Sequence, residues 1–164
     1  MQISPQPSAV VSPVVSPTVK DGAVILHEKR GTKIGTITIK RLGIYNFPIK
    51  MGTSPVVLGT AVGVYRGSPE PGTGNFMMAG HRITPVRQLD HGPFYSMDKL
   101  KKGDIAVVKY DGKVYRFKVV MIKVVTPSSV VFRRLAHSNV DMTLTACHPI
   151  GSAQQRIVSQ WKLI

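Results

Sequence analysis

Asp111-Gly112 lies between the runs Ile105–Tyr110 and Lys113–Val125, and this junction is the strongest constraint the sequence places on its own fold. Both junction residues tolerate the positive φ of a tight hairpin, so the flanking Val-, Tyr- and Phe-bearing runs are expected as paired antiparallel strands. Residues 33–40 (KIGTITIK) alternate Ile with polar residues, as a half-buried strand does. Further strands are expected at 75–79, 142–146 and 156–163, and helical evidence is confined to 57–65 and a turn near 128–135. Seven or eight short strands joined by Gly/Pro-rich connections, with no βαβ rhythm, predict a mainly β fold, an antiparallel or mixed barrel.

With 164 residues, the chain has material for one well-buried core. Its first 21 residues repeat Ser-Pro with Val and lack a helical period, so 1–21 reads as an extended linker and 22–164 as the folded domain. A formal net charge of +14 attracts polyanions: nucleic acid, anionic headgroups or wall polymers. Uninterrupted apolar stretches stay far below the roughly 18 residues of a membrane helix. No Cys/His pair has metal-ligand spacing and the eight acids are scattered, so no metal site is expected.

Cys147 is the single cysteine, so the chain cannot form an internal disulfide. It closes the apolar run T143-L144-T145-A146-C147 before a Pro/Gly/Ser turn, which places the sulfur at a sheet rim. A thiol attacks as its thiolate and needs a base or cation nearby. Two groups stand ready at strand ends: His81 after Phe76-Met77-Met78-Ala79-Gly80, and Arg156 at the start of the strand after the turn. Arg156 lies across from Cys147 if the two strands pair as a hairpin. His148 adjoins Cys147, but alternation along a strand turns it to the opposite face, which favours His81 as the partner. His27, His91 and His137 read as surface or loop residues, and Trp161 and Phe117 as core.

The order Gly80-His81, then T-L-x-x-C from Thr143 to Cys147, then Arg156, resembles the sortases, bacterial transpeptidases that attach proteins to the cell wall or polymerise pili. GDIAVVKYDGKVYRFKV is similar to a segment of that family, and AGHR, HGPF, TACHP and SAQQRIV are most similar to its class E members from actinobacteria. The resemblance implies an eight-stranded sortase-type β-barrel with short helices and 3-10 turns, a Cys147-His81-Arg156 site, and no cofactor. It further implies cleavage of a Leu-Ala/Pro-x-Thr-Gly sorting signal between Thr and Gly, with transfer to an amine of a cell-wall precursor or a pilin. Thr145, Ala146, His148 and Arg82, neighbours of the catalytic candidates, are the expected substrate-binding residues.

The partners expected from the resemblance are surface proteins bearing sorting signals, without nucleic acid. The enzyme is expected as a monomer at the extracytoplasmic face of the plasma membrane, held by an N-terminal anchor absent from this chain. Two positions depart from the family pattern. Ala146 replaces the usual threonine, and the stretch from Arg82 to His91 lacks the tyrosine associated with alanine-containing signals, so only a small preference for alanine over proline is expected. The alternative reading is a basic β-barrel module that binds nucleic acid or another anionic polymer. That module would cluster its cations beside exposed aromatics, whereas the longest basic runs here are Lys101-Lys102 and Arg133-Arg134.

Deleting residues 1–20 is expected to leave kcat/KM for peptide cleavage unchanged, because a Ser-Pro-Val spacer buries too little apolar surface to order itself. A faster truncated enzyme would instead show that Val10-Val11 and Val14-Val15 occupy the substrate groove.

Overall fold

The computed structural model describes residues 22–83, 91–128, 134–135 and 137–164. The linker expected at 1–21, the stretch 84–90 and most of the turn expected near 128–135 lie outside the described residues. Eight strands close into a barrel in the order β1-β2-β3-β4-β7-β8-β6-β5. They are β1 (Lys33–Ile39), β2 (Ile44–Met51), β3 (Val62–Val64), β4 (Phe76–Ala79), β5 (Ile105–Tyr110), β6 (Lys113–Val125), β7 (Met142–His148) and β8 (Gln155–Leu163). Closure leaves no unpaired sheet edge among them. The barrel is mixed: β2 runs parallel to β3 and β4 parallel to β7, and the remaining neighbours are antiparallel.

The β5–β6 hairpin turns where the sequence places it, with φ of 49° at Asp111 and 70° at Gly112, the paired positive values of a type I′ turn. Alternation in β1 carries Ile37 and Ile39 into the interior, both fully buried. Gly35 in the same strand is obligatory, since a Cβ there would sit 2.1 Å from the Lys109 carbonyl oxygen on β5. The core gathers Phe76 and Met78 of β4, Leu144 and Ala146 of β7, Phe117 of β6, Ile157 and Trp161 of β8, and Phe94 from the segment after β4. Trp161 spends its indole N–H on the Ser159 hydroxyl at 2.8 Å, so its complete burial leaves no donor unmet.

Residues 57–65 correct the sequence reading. Helix α1 occupies only Pro55–Leu58, capped by the Ser54 hydroxyl, and after a turn Val62–Val64 form β3. Gly63 explains the switch: a Cβ there would lie 2.2 Å from the Gly52 carbonyl oxygen, so only a bare backbone fits beside β2. Strand β2 went unread because Pro48 and the positive φ of Asn46, 47°, interrupt its pattern. Among the described residues, no helix is long and apolar enough to cross a membrane.

Gly80 extends β4 and packs under Phe94, where an added Cβ would meet the ring at 2.6 Å. Gly80→Ala should therefore destabilise the protein by about 1–3 kcal/mol, since the fully buried ring has nowhere to retreat. Urea unfolding measures this, and wild-type stability in the variant would contradict the packing described.

Candidate active site

Three adjacent strands, β4, β7 and β8, build the site on the outer face of the barrel. Met142, Leu144 and Ala146 of β7 point into the core, so Thr143, Thr145 and Cys147 point outward. On β4, Phe76 and Met78 point inward, which turns Met77, Ala79 and, two residues on, His81 to the outer face. The pairing Ala79↔Thr145 and the bond from the Gly80 N–H to the Thr145 carbonyl, 3.1 Å, set His81 level with the end of β7. Across the β7–β8 turn, Cys147 is the register partner of Arg156.

His81 and Cys147 line one cavity of about 290 Å³ together with Arg82, Ile83, Gly151, Ser152 and Ala153. Both side chains are half-buried. His81 Nε2 is buried with no hydrogen-bond partner among the described residues, and burial pushes the imidazole pKa below its ordinary value. Its neutral form is a base without a prior engagement. Its backbone is fixed: the His81 carbonyl accepts from Phe94 N–H at 3.0 Å, the Arg82 carbonyl from Gly92 N–H at 2.8 Å. Gly92 has to be glycine, because a Cβ would stand 2.2 Å from the His81 carbonyl oxygen.

Arg156 Nη1 donates to the carbonyls of Ala153 (2.9 Å) and Gln155 (3.0 Å), which anchors the guanidinium on the turn. Its Nε and Nη2 have no such bond among the described residues, which leaves three N–H donors on the strand beside Cys147.

The four residues expected to touch substrate sit less openly. Thr145, Ala146 and Arg82 are 1%, 4% and 3% exposed, so their side chains engage the protein itself. Ala146 belongs to the core, Thr145 shares a 2.8 Å hydrogen bond with the Tyr65 hydroxyl, and Arg82 binds Tyr95, Asp98 and His148. His148 faces away from the Cys147 side, as alternation predicted, and its Nδ1 lies 3.2 Å from Arg82 Nη1. A guanidinium only donates, so Nδ1 is the acceptor in this contact.

Tyr65, just beyond β3, is the residue that sequence reasoning missed. Its phenol pKa is raised, mainly by burial, and it feels the charges of both Arg156 and Cys147, which puts the hydroxyl within electrostatic reach of the site. The contact with Thr145 spans 80 residues of sequence, and the local pattern held no signal for it.

A family model described as Sortase domain matches residues 37–164. Among solved structures, SrtA sortase from Actinomyces oris is 28% identical with a TM-score of 0.69, over 88% of this chain and 87% of that one. Sortase C of Clostridium perfringens with the C-terminal cell wall sorting motif is 30% identical with a TM-score of 0.70, over 83% and 72%. Sortase C1 of Streptococcus agalactiae is 31% identical with a TM-score of 0.68, over 80% and 67%. No curated protein matches the sequence.

Because burial depresses the His81 pKa below 6.5, the unfolded chain binds more protons there as pH falls past that value. The stability contribution of this site is intact above about pH 6.5 and diminishes toward the lower folded pKa. Urea midpoints from pH 7.5 to 5 should drop more steeply in wild type than in His81→Asn. Equal slopes would show that His81 is not buried as described.

Proposed function

The chain belongs to the sortase family of transpeptidases, and on that footing we propose that Cys147, His81 and Arg156 carry the reaction. His81, neutral at rest, takes the thiol proton, and the Cys147 thiolate attacks the carbonyl of the threonine in a sorting signal. As the carbon–nitrogen bond to glycine breaks, the imidazolium returns the proton to the departing amine. The acyl group is left on sulfur as a thioester. A second amine, from a cell-wall precursor or a pilin, attacks it, gives its proton to His81 and releases the thiolate. Arg156 donates through Nε and Nη2 to the substrate carbonyl oxygen, whose negative charge grows in each tetrahedral state.

The single observation that carries this reading is the cavity shared by His81 and Cys147, with Arg156 as the register partner of the cysteine. Residues 22–164 are the catalytic domain on this reading and 1–21 its spacer from the membrane surface. The class E pattern around Cys147 points to Leu-Ala-x-Thr-Gly as the signal. Tyr65 supports that choice: its hydroxyl bonds Thr145 at 2.8 Å and feels the charges of Cys147 and Arg156, which puts a polar group beside the site where a peptide amide N–H can be read. Alanine at the second position of the signal has that N–H and proline lacks it.

Peptide cleavage tests these assignments. Cys147→Ala should abolish turnover with the thermal midpoint retained, and His81→Ala should lower kcat by about 10²–10⁴. Activity surviving in Cys147→Ala would end the reading. With Tyr65 beside the site, the small preference expected from the sequence rises: kcat/KM should favour alanine over proline by about tenfold or more, roughly 1.4 kcal/mol, and Tyr65→Phe should bring the two together. A ratio unchanged by Tyr65→Phe would show that another group reads this position.

A further inference from the structure

Arg82 is a cation beside the site that the chemistry above leaves unused, and it is 3% exposed. A guanidinium stays charged, so burying it is costly unless every direction of its fork is met. Nε and Nη2 donate to the Tyr95 carbonyl at 3.1 and 2.8 Å, Nη2 also reaches Asp98 Oδ1 at 2.6 Å, and Nη1 donates to His148 Nδ1 at 3.2 Å. These partners belong to two separate stretches of chain, 95–98 and the end of β7. Arg82 directly follows His81, and His148 directly follows Cys147.

On the reading of Cys147 and His81 as the reacting pair, we propose that the Arg82–His148 contact is a positioning clamp that sets the separation of thiol and imidazole. β4 and β7 are paired only as far as Ala79↔Thr145, with one further bond from Gly80. Beyond that point the two strands carry their reacting side chains on the outer face without a ladder between them. The clamp replaces the ladder from the inner face, where Arg82 and His148 both point by alternation. Tyr95 and Asp98 hold the guanidinium from a third side, so a shift of either strand end is resisted at both. A lysine would not serve, because a single ammonium lacks the planar fork that spans these acceptors. His148 therefore acts through the placement of its neighbour and exchanges no proton with substrate.

The clamp requires an acceptor at the position of His148 Nδ1 and makes no demand on the rest of the ring. Asparagine presents its side-chain oxygen at the matching place, so His148→Asn should retain kcat within about threefold, while His148→Ala and Arg82→Lys lose about tenfold or more. KM for the peptide should change little in all three, since the cost falls on alignment of the reacting groups. A second readout needs no substrate: the rate of alkylation of Cys147, the only thiol, by iodoacetamide as a function of pH. His148→Ala should displace that profile and His148→Asn should overlay wild type. If wild type alkylates but cleaves no sorting-signal peptide, the transpeptidase reading fails, and the alkylation profiles still decide the clamp. If Arg82→Lys does not fold, the two His148 variants decide it. Equal losses in His148→Asn and His148→Ala, or wild-type behaviour in both, would overturn the proposal.

Discussion

The register of β7 between β4 and β8 is the constraint on which the rest of the site depends. Pairing Ala79↔Thr145 on one side and Cys147↔Arg156 on the other determines which side chains share the outer face. Because the strand period is two, a slip of one residue would turn Cys147 into the core and bring His148 out in its place. The apolar residues prevent this: Met142, Leu144 and Ala146 must all point inward together, and each is buried against the same core. Hydrophobic burial thus decides which of two adjacent residues lines the cavity with His81.

The same geometry separates the two candidate histidines electrostatically. His81 is desolvated, with its Nε2 unengaged, which favours the neutral base. His148 differs: its Nδ1 is committed to a buried guanidinium. The two rings differ in their partners, and that difference follows from the faces they occupy.

Much of this was legible in the sequence wherever the signal was local. The Asp111-Gly112 turn, the alternation of β1, and the ends of β7 and β8 follow from neighbouring residue types, so five of the expected strands fall close to β1, β4, β5, β6 and β7 and a sixth to β8. Strand β2 was hidden by Pro48 and Asn46, and β3 was misread as helix because Val57 and Val62–Val64 resemble one apolar stripe until the close approach of Gly63 to Gly52 is known. Arg82 reads locally as a neighbour of His81 open to substrate. Its burial depends on Tyr95, Asp98 and His148, the last of them 66 residues away. Tyr65 was invisible for the same reason, its partner Thr145 being fixed only when the barrel closes.

The central claim is that the outer face of β4, β7 and β8 makes Cys147 the point of covalent attachment. Intact-protein mass spectrometry after brief incubation with a Leu-Ala-x-Thr-Gly peptide, followed by fragment mapping, tests it directly. The account predicts an acyl adduct ending in the signal's threonine, located on Cys147 and discharged when an amine nucleophile is added. Peptide cleavage without any adduct on Cys147, or an adduct mapping to another residue, would contradict it.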